Sequence, residues 1–321
     1  MMGEHWIVTG GAGYIGGHLV AALRKLEHEV TVIDNLSTGD RSRVPQGVKF
    51  IEADISEVDH IVAELSGVSI SGIFHLAAKK SVKESVSEPL IYWRTNVGGT
   101  LAVLATAERL RIHKIVFSSS AAVYGEQGKR FFVREDDFPV PANPYGSSKL
   151  AAERALSDYC ESRTAAWLAL RYFNVAGCGG RDLIDHGGET LFPRLIESVL
   201  EGRSPEIYGA DYPTEDGTCV RDYVHVLDVV DAHLCAMRKI GVGVSGIYNI
   251  GRGTGISVRQ IVAKVYAACD VPENSEIRSR RPGDVAAIWA NVDKARADLN
   301  WCSRRDIDDM VRDEISWRVG G

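Results

Sequence analysis

Short apolar runs alternate with segments of helical periodicity along the first half of the chain. The runs predict β-strands at residues 6–9, 29–33, 48–52, 73–76 and 115–118. Apolar residues at helical spacing predict helices over 15–25, 59–65 and 90–110, and a later helix over 145–163 precedes a strand at 168–172. Such alternation is typical of a parallel sheet covered by helices on both faces.

The pattern changes after about residue 175. Five glycines follow, at Gly177, Gly179, Gly180, Gly187 and Gly188, and the regular alternation stops. We therefore expect an α/β fold whose Rossmann-type doubly wound parallel sheet occupies 1–175, with a returning segment at about 220–250. Residues 176–321 are expected to form a smaller C-terminal α/β substrate-binding domain, in which Ser257 and Gln260 open a helix as a capping box.

Composition narrows the choice of partners. A net charge of -6 in 321 residues gives no general attraction to polyanions, so nucleic acid is not expected as a partner. No apolar run reaches the ~18 residues of a membrane span and no signal segment opens the chain, which favours a cytoplasmic protein without a membrane partner. The six cysteines are scattered without metal-ligand spacing, so we expect neither a metal site nor disulfides.

A glycine-rich turn follows the first strand and leads into the first helix. Gly10, Gly13 and Gly16 are spaced as in dinucleotide-binding turns, where glycine allows a tight turn and a close approach of the backbone to a pyrophosphate. Asp34, at the end of the second strand, is suited to accept hydrogen bonds from ribose hydroxyls and to repel a 2'-phosphate. NAD is therefore favoured over NADP. Asp54 and Ile55 end the third strand, where an adenine contact and an ordinary turn are equally good interpretations.

Candidate chemistry lies on the later helix. Tyr145 and Lys149 are four positions apart, so they lie one turn apart on the same face. The lysine charge and the positive nicotinamide ring of NAD would both favour the phenolate, which could then take a proton from a substrate hydroxyl. Ser118 and Ser120 end the fifth strand, at the edge where such sheets bind ligands. We expect Ser120 to bond the same hydroxyl.

These motifs together resemble the extended short-chain dehydrogenase/reductase superfamily. The resemblance rests on Gly10 to Gly16, Asp34 with Asn35, the run from Ser118 to Gly125, Tyr145 with Lys149, and Arg171 to Asn174. Two further segments, 212–218 (YPTEDGT) and 220–226 (VRDYVHV), resemble the UDP-glucose (UDP-galactose) 4-epimerases, and the likeness covers nearly the whole chain.

The resemblance implies a set of site residues. Ser120, Tyr145 and Lys149 would be catalytic. The cofactor would be bound by Gly10, Gly13, Tyr14, Ile15, Gly16, Asp34, Asn35, Asp54, Ile55, Leu76, Ala77, Ala78, Lys80, Asn96, Ser118, Tyr145, Lys149 and Tyr172. The UDP-sugar would be bound by Lys80, Ser120, Tyr145, Phe173, Asn174, Thr190, Leu191, Tyr208, Arg221, Tyr223, Arg281, Asp284 and Ile288.

The resemblance also implies finer roles. Asn174, Arg221 and Arg281 would bind the diphosphate or sugar, Tyr208 the uracil and Asp284 the uridine ribose, because a buried diphosphate needs fixed planar donors. Three departures concern the sugar: Thr190 replaces an Asn, the loop 178–188 is short, and Ile288 replaces a residue that tunes the sugar pocket.

The reaction expected is 4-epimerisation of UDP-glucose and UDP-galactose through transient oxidation at C4 by NAD. The alternatives are a UDP-glucuronic acid or UDP-N-acetylglucosamine 4-epimerase. A nucleotide-sugar 4,6-dehydratase is less favoured, because Ala121 and Ala122 stand where the dehydratases carry an Asp-Glu pair. A catalytically silent NAD-binding scaffold would not need the intact Ser120, Tyr145 and Lys149. Long apolar helices at 90–110 and 145–163 favour a homodimer.

Overall fold

The computed structural model describes residues 3–127, 130–185, 190–241, 244–281 and 284–319. Its strands, in chain order, are β1 His5–Thr9, β2 Glu29–Asp34, β3 Lys49–Glu52, β4 Gly72–His75, β5 Lys114–Ser120, β6 Phe132–Val133, β7 Ala166–Tyr172, β8 Asn174–Ala176, β9 Glu206–Tyr208, β10 Val220–Arg221, β11 Tyr223–His225, β12 Ser245–Ile250, β13 Ile256–Ser257, β14 Glu276–Arg278 and β15 Ala287–Ala290. Its α-helices are α1 Tyr14–Lys25, α2 Val58–Glu64, α3 Val82–Ser87, α4 Pro89–Tyr92, α5 Gly99–Arg109, α6 Pro144–Arg163, α7 Leu191–Leu200, α8 Val226–Lys239, α9 Val258–Cys269, α10 Asp293–Leu299 and α11 Ile307–Val319.

Seven strands form one parallel sheet, and this confirms the predicted doubly wound fold. Their order across the sheet is β12-β7-β5-β4-β1-β2-β3. Chain order reverses between β1 and β4, and in such sheets ligands bind at the carboxyl ends of the strands beside this point. The glycine turn after β1 lies at that position.

Alternating side chains of each strand feed two apolar layers. On β1, Trp6 and Val8 pack with α1 and α8 on one face, whereas Ile7 packs with α2, α5 and α6 on the other. Strands buried on both faces in this way read as nearly continuous apolar runs, which is why the sequence revealed them.

A third apolar cluster and a second sheet lie in the C-terminal part. Helices α7, α9 and α11 pack together through residues such as Ile196, Val262 and Met310. The second sheet has the order β13-β10-β15-β6. The capping box predicted at Ser257 and Gln260 is present at the start of α9. None of the described helices is long and apolar enough to cross a membrane.

The predicted helix 90–110 is interrupted. A π-helical segment, Trp93–Gly98, separates α4 from α5. Its Asn96 is buried and turned inward, where its side-chain amide accepts from the Lys79 backbone N–H at 2.8 Å and donates to the Ser148 hydroxyl at 2.9 Å. Short π-helical insertions often occur at functional sites, and this one ties the loop after β4 to α6, which carries Tyr145 and Lys149.

Candidate active site

The glycine turn between β1 and α1 has the geometry of a dinucleotide cradle. Gly10 has φ +71°, and a Cβ there would lie 2.6 Å from the Ala77 nitrogen. A Cβ on Gly16 would lie 2.1 Å from the Gly10 carbonyl oxygen, so glycine is required for the helix to pack this close. Gly13 is the N-cap of α1 and has no side-chain capping bond. The N-terminus of α1 is therefore suited to bind a phosphate.

Asp34 lies beside this turn. It is 8% exposed, and its carboxylate accepts from the Ala12 N–H at 3.0 Å and the Leu36 N–H at 2.9 Å. Each oxygen accepts one of these bonds and keeps a lone pair for a ligand hydroxyl. The residues of the cradle thus fit the adenosine diphosphate part of NAD.

The other predicted cofactor residues surround the cradle. Asn35 donates to the Asp54 carboxylate at 2.8 Å, and the Ser56 hydroxyl and backbone N–H lower the pKa of Asp54. Ile55 is buried in the core, whereas the Tyr14 hydroxyl donates to the Gly177 carbonyl. The remaining members are the half-buried Ile15, Leu76, Ala77 and Ala78, with Leu76 to Ala78 following β4. Their contacts with NAD stay predictions.

The catalytic candidates converge at the carboxyl ends of β5 and β7. Pro144 is the first residue of α6 and Asn143 caps it through the Gly146 N–H at 2.9 Å, which fixes where the helix begins. Lys149 is 3% exposed, and its ammonium donates to the Ser118 carbonyl at 2.8 Å. Ser120 pairs in register with Tyr172 on β7. The structure thus brings Lys149 to Ser118 and Tyr145 to Ser120, and their catalytic roles stay predictions.

Burial shifts the titration of both members of the pair. It lowers the pKa of Lys149 to about 7, against the opposing effect of Glu153. It raises the pKa of Tyr145, although a hydrogen bond with the Ser120 side chain acts in the other direction. The Tyr145 ring also contacts Tyr92 edge to face, with ring centroids 6.3 Å apart. Tyr145 is therefore a neutral phenol that needs added positive charge nearby to act as a base.

Tyr172 is held differently. Its hydroxyl lies 2.6 Å from His233 Nε2, and burial raises its pKa. Burial also lowers the pKa of His233 to about 4, so this pair is neutral at pH 7. Tyr172 is therefore fixed in place beside Tyr145.

The predicted nucleotide-sugar residues form a second group. The Arg281 guanidinium lies 3.8 Å from the centre of the Tyr208 ring. Arg221 Nη2 is 3.7 Å from Asp284, and Arg221 pairs in register with Ile288 in the second sheet. Arg221 Nη1 also donates to the Val220 carbonyl at 2.9 Å. The ion pair of Arg221 with Asp284 is long and Arg281 is exposed, so a diphosphate could replace these two contacts at low cost.

The rest of the predicted substrate set is spread between these groups. Thr190 donates to Asp185 at 3.2 Å, and Lys80 lies 3.8 Å from the same carboxylate. Asn174 is exposed on β8 and pairs in register with Tyr223. Phe173, Leu191 and Tyr223 pack in or against the apolar clusters. Of the short loop 178–188, residues 186–188 lie outside the described part of the chain.

Sequence reasoning assigned no role to several buried charged residues of the site. Glu153 and Arg171 form a buried ion pair behind Lys149, with Nη2 and Oε2 2.7 Å apart. Asp222, fully buried, accepts from the backbone N–H groups of Arg252, Gly253 and Ala290 at 2.7 to 3.1 Å, and burial raises its pKa to about 6. Asp222 thus anchors the second sheet. Glu153, four positions after Lys149, was the one that helical spacing could have revealed.

Among the described residues, no group of three or more His, Cys, Asp or Glu side chains could hold a metal ion. All six cysteines are free thiols.

Fold and site together define an NAD-binding enzyme of the dehydrogenase/epimerase class. The chain belongs to the NAD dependent epimerase/dehydratase family, whose model matches residues 6–251. NAD is therefore its cofactor.

Whereas the family model matches residues 6–251, similar proteins align with nearly the full length of the chain. The chain is 41% identical over 318 residues to a UDP-glucose 4-epimerase of Lacticaseibacillus casei, covering 97% of this chain and 95% of the relative. It is 39% identical over 310 residues to one of Corynebacterium glutamicum, covering 96% and 93%. A UDP-glucose 4-epimerase structure from Stenotrophomonas maltophila, with bound NAD and formylated UDP-arabinopyranose, superposes with a TM-score of 0.93 at 34% identity and covers 99% of this chain and 98% of that one.

Proposed function

We propose that this protein is an NAD-dependent 4-epimerase of UDP-hexoses that interconverts UDP-glucose and UDP-galactose. The observation that carries the proposal is the convergence of Tyr145, Lys149 and Ser120 at the carboxyl ends of β5 and β7, where β1 and its glycine cradle also end. The 4-epimerase relatives align over almost the whole chain and support the same reaction.

Tyr145 is the base that takes the proton of the sugar 4-hydroxyl. Ser120 bonds the same hydroxyl, and the Lys149 ammonium favours the phenolate of Tyr145 by its charge. NAD, when bound, would supply reversible hydride transfer at C4. The 4-keto sugar would turn over in the site between the two transfers, so that the hydrogen returns to the other face and the cycle leaves no net oxidation. Tyr145 then gives its proton back to the 4-oxygen. The sugar thus regains both the proton and the hydride, and Tyr145 and the cofactor end each cycle in the state in which they began it.

The cofactor is held along the cradle. Gly10, Gly13 and Gly16 admit the pyrophosphate, Asp34 and Asn35 bind the adenosine ribose, and Asp54 and Ile55 lie at the adenine. Lys80 and Lys149 face the nicotinamide ribose, while Tyr14, Ile15, Leu76, Ala77, Ala78, Asn96, Ser118 and Tyr172 complete the NAD site. Each carboxylate oxygen of Asp34 accepts one backbone hydrogen bond and can accept another from a ribose hydroxyl, which supports this part of the proposal.

The UDP moiety binds across the second sheet. Arg221 and Arg281 take the diphosphate with Asn174, and Asp284 turns from Arg221 to the uridine ribose. Tyr208 lies at the uracil, Thr190 and Leu191 line the side of the diphosphate, and Phe173, Tyr223 and Ile288 shape the sugar pocket. The long Arg221–Asp284 contact and the exposed position of Arg281 over the Tyr208 ring support this arrangement.

The chain divides accordingly into two parts. Residues 1–175 with the returning segment 220–250 form the NAD-binding domain, and the remainder of 176–321 forms the nucleotide-sugar-binding domain. β12, which lies within the segment 220–250, pairs with β7 in the main sheet, and this supports the assignment of that segment to the NAD-binding domain.

We also propose a homodimer in the cytoplasm. Exposed apolar side chains follow one another on neighbouring helices, with Leu90 67%, Trp93 41% and Leu101 52% exposed. The other helix expected at a dimer interface, α6, contributes none of the exposed large apolar side chains. The free thiols of all six cysteines fit a reducing compartment. Light scattering at micromolar concentration should give twice the chain mass, and a monomer mass would contradict the dimer.

The test of function is proton NMR of the purified protein mixed in turn with UDP-galactose, UDP-glucuronic acid and UDP-N-acetylglucosamine. We expect conversion of UDP-galactose to UDP-glucose to be fastest. Preference for the uronic acid or the acetamido sugar would assign one of the other two epimerase activities, loss of the C6 hydroxyl would assign a 4,6-dehydratase, and no conversion of any sugar would indicate a silent NAD-binding scaffold.

A further inference from the structure

A buried carboxylate lies one helical turn beyond Lys149. Glu153 is 3% exposed, and Arg171 of β7, which is 2% exposed, donates to both of its oxygens at 2.9 and 2.7 Å. The Ser119 hydroxyl of β5 donates to Oε1 as well. Three donors from two strands therefore fix the position of this one negative charge.

The same elements hold Lys149. Ser118, next to Ser119 on β5, accepts from the Lys149 ammonium. Because Lys149 and Glu153 are four positions apart on α6, they lie on the same face of the helix. The carboxylate is thus fixed where its charge opposes the desolvation of the ammonium, and it is itself neutralised by Arg171.

The other groups that face Lys149 are largely uncharged. His75 of β4 is buried with its Nδ1 2.8 Å from the Thr9 hydroxyl, and burial together with the Lys149 charge lowers its pKa to about 3. Tyr145 and Tyr172 are neutral, since burial raises the pKa of each phenol. Among the described groups, Glu153 is therefore the charged one that acts on the ammonium, and Arg171 is the cation paired with it.

We propose that Glu153 and Arg171 are positioning residues that set the charge of Lys149, and through it the readiness of Tyr145 to act as a base. Glu153 keeps the ammonium protonated, and Arg171 both holds Glu153 in place and limits its effect. The inference rests on the proposed function, in which the charge of Lys149 favours the Tyr145 phenolate.

Two single substitutions should act in opposite directions. Glu153→Gln leaves two positive groups without their carboxylate, so Lys149 should lose its proton about one pH unit lower, a tenfold change in its dissociation constant. In a plot of kcat against pH, the fall at alkaline pH (the alkaline limb) should move to lower pH by the same amount. Arg171→Met leaves the carboxylate unneutralised, so the limb should move up, but by clearly less than one pH unit, because Glu153 is the charge that acts directly on Lys149. Arg171→Lys keeps the charge and is the matched control, with a limb close to that of the wild type.

A merely structural pair would lower stability in both variants without opposite shifts. Both limbs moving in the same direction, or neither moving in active variants, would overturn the proposal. Because removing one partner of a buried pair can prevent folding, the double variant Glu153→Gln/Arg171→Met provides a second test. Its limb should move down, but less than in Glu153→Gln, and an unmoved limb would equally overturn the proposal.

The protonation of Lys149 can also be read without turnover. Competitive acetylation of the purified protein across pH, followed by peptide mass spectrometry, gives the apparent pKa of this amine directly. The apparent pKa of Lys149 should be lower than in the wild type in Glu153→Gln and higher in Arg171→Met. An unchanged pKa in both variants would overturn the proposal. A wild-type protein inactive on every UDP-sugar would refute the proposed function, whereas the labelling would still decide whether this pair controls Lys149.

Discussion

The catalytic side and the nucleotide-sugar side of this site are built differently. Lys149 is 3% exposed and makes a 2.8 Å bond to β5, and the ion pair behind it is equally buried. On the other side, Arg281 is exposed above the Tyr208 ring, and Arg221 has an oxygen of Asp284 at 3.7 Å. One side is fixed by burial and short hydrogen bonds within the fold, whereas the other presents one cation with a long ion pair and another that is exposed on a ring.

The difference teaches what each side has to do. A base and its neighbours must stand in one geometry when the proton moves, and burial among parallel strands provides this. Binding a diphosphate requires cations that exchange their partners, and an exposed ion pair costs little to break. Substitutions on the two sides should therefore change different constants.

The largest effect is expected from Tyr145→Phe, which removes the base and keeps the ring that packs on Tyr92. Turnover should fall by at least ~100-fold, the usual effect of losing a general base, while UDP-sugar affinity changes little. Steady-state kinetics and calorimetry of UDP binding measure the two. Tyr159→Phe on the same helix is the control and should keep the wild-type rate. Near wild-type turnover in Tyr145→Phe would show that this tyrosine is only structural.

Cofactor retention should depend on Asp34. The wild-type protein should purify with stoichiometric NAD, and Asp34→Asn should lower NAD affinity by about tenfold to a hundredfold, because bonds to a charged acceptor contribute about 1.5 to 3 kcal/mol. Chromatography of denatured extracts measures the content. Asp59→Asn, at an exposed carboxylate of α2, is the control. Finding NADP, or no affinity for NAD in the wild type, would contradict the role of Asp34.

Arg281→Met should raise the Kd for UDP with little change in kcat. Loss of charge-assisted bonds to a diphosphate costs about 1.5 to 3 kcal/mol, or about tenfold to a hundredfold in affinity. Arg278→Met is matched to it, because Arg278 is exposed at the end of β14 and pairs with Glu206 at 2.9 Å. An equal loss in both variants would place Arg281 outside the diphosphate site.

The smallest effect concerns the choice of sugar. Ile288 on β15 is intermediate in size between a Tyr, which would leave no room for a 2-acetamido group, and a Cys, which would leave room for one. We therefore expect strong activity on UDP-galactose and weak activity on UDP-N-acetylgalactosamine. Ile288→Tyr should abolish the second activity and spare the first, since one misplaced small group costs about 1 to 3 kcal/mol. Kinetics on both sugars decide. A wild-type preference for the acetamido sugar would assign the pocket to Thr190 and the loop 178–188 instead.

The two sides also differ in how far the sequence predicts them. The glycine turn, Asp34 and the Tyr145–Lys149 pair are local patterns at fixed spacing, so their positions follow from the strand or helix that carries them. The Glu153–Arg171 pair joins a helix to a strand, and Asp222 anchors loops up to 68 positions away through backbone bonds that no spacing reveals. The π-helical turn at Asn96 was missed because its apolar periodicity still resembles an α-helix.

The most direct test of the central claim is the fate of the C4 hydrogen. Purified protein without added NAD is mixed with UDP-galactose in deuterium oxide and followed by proton NMR. We predict that UDP-glucose forms and keeps its original hydrogen at C4, because hydride leaves and returns within one site. Deuterium at C4 of the product, or no conversion even with added NAD, would contradict transient oxidation by a base and cofactor held as described.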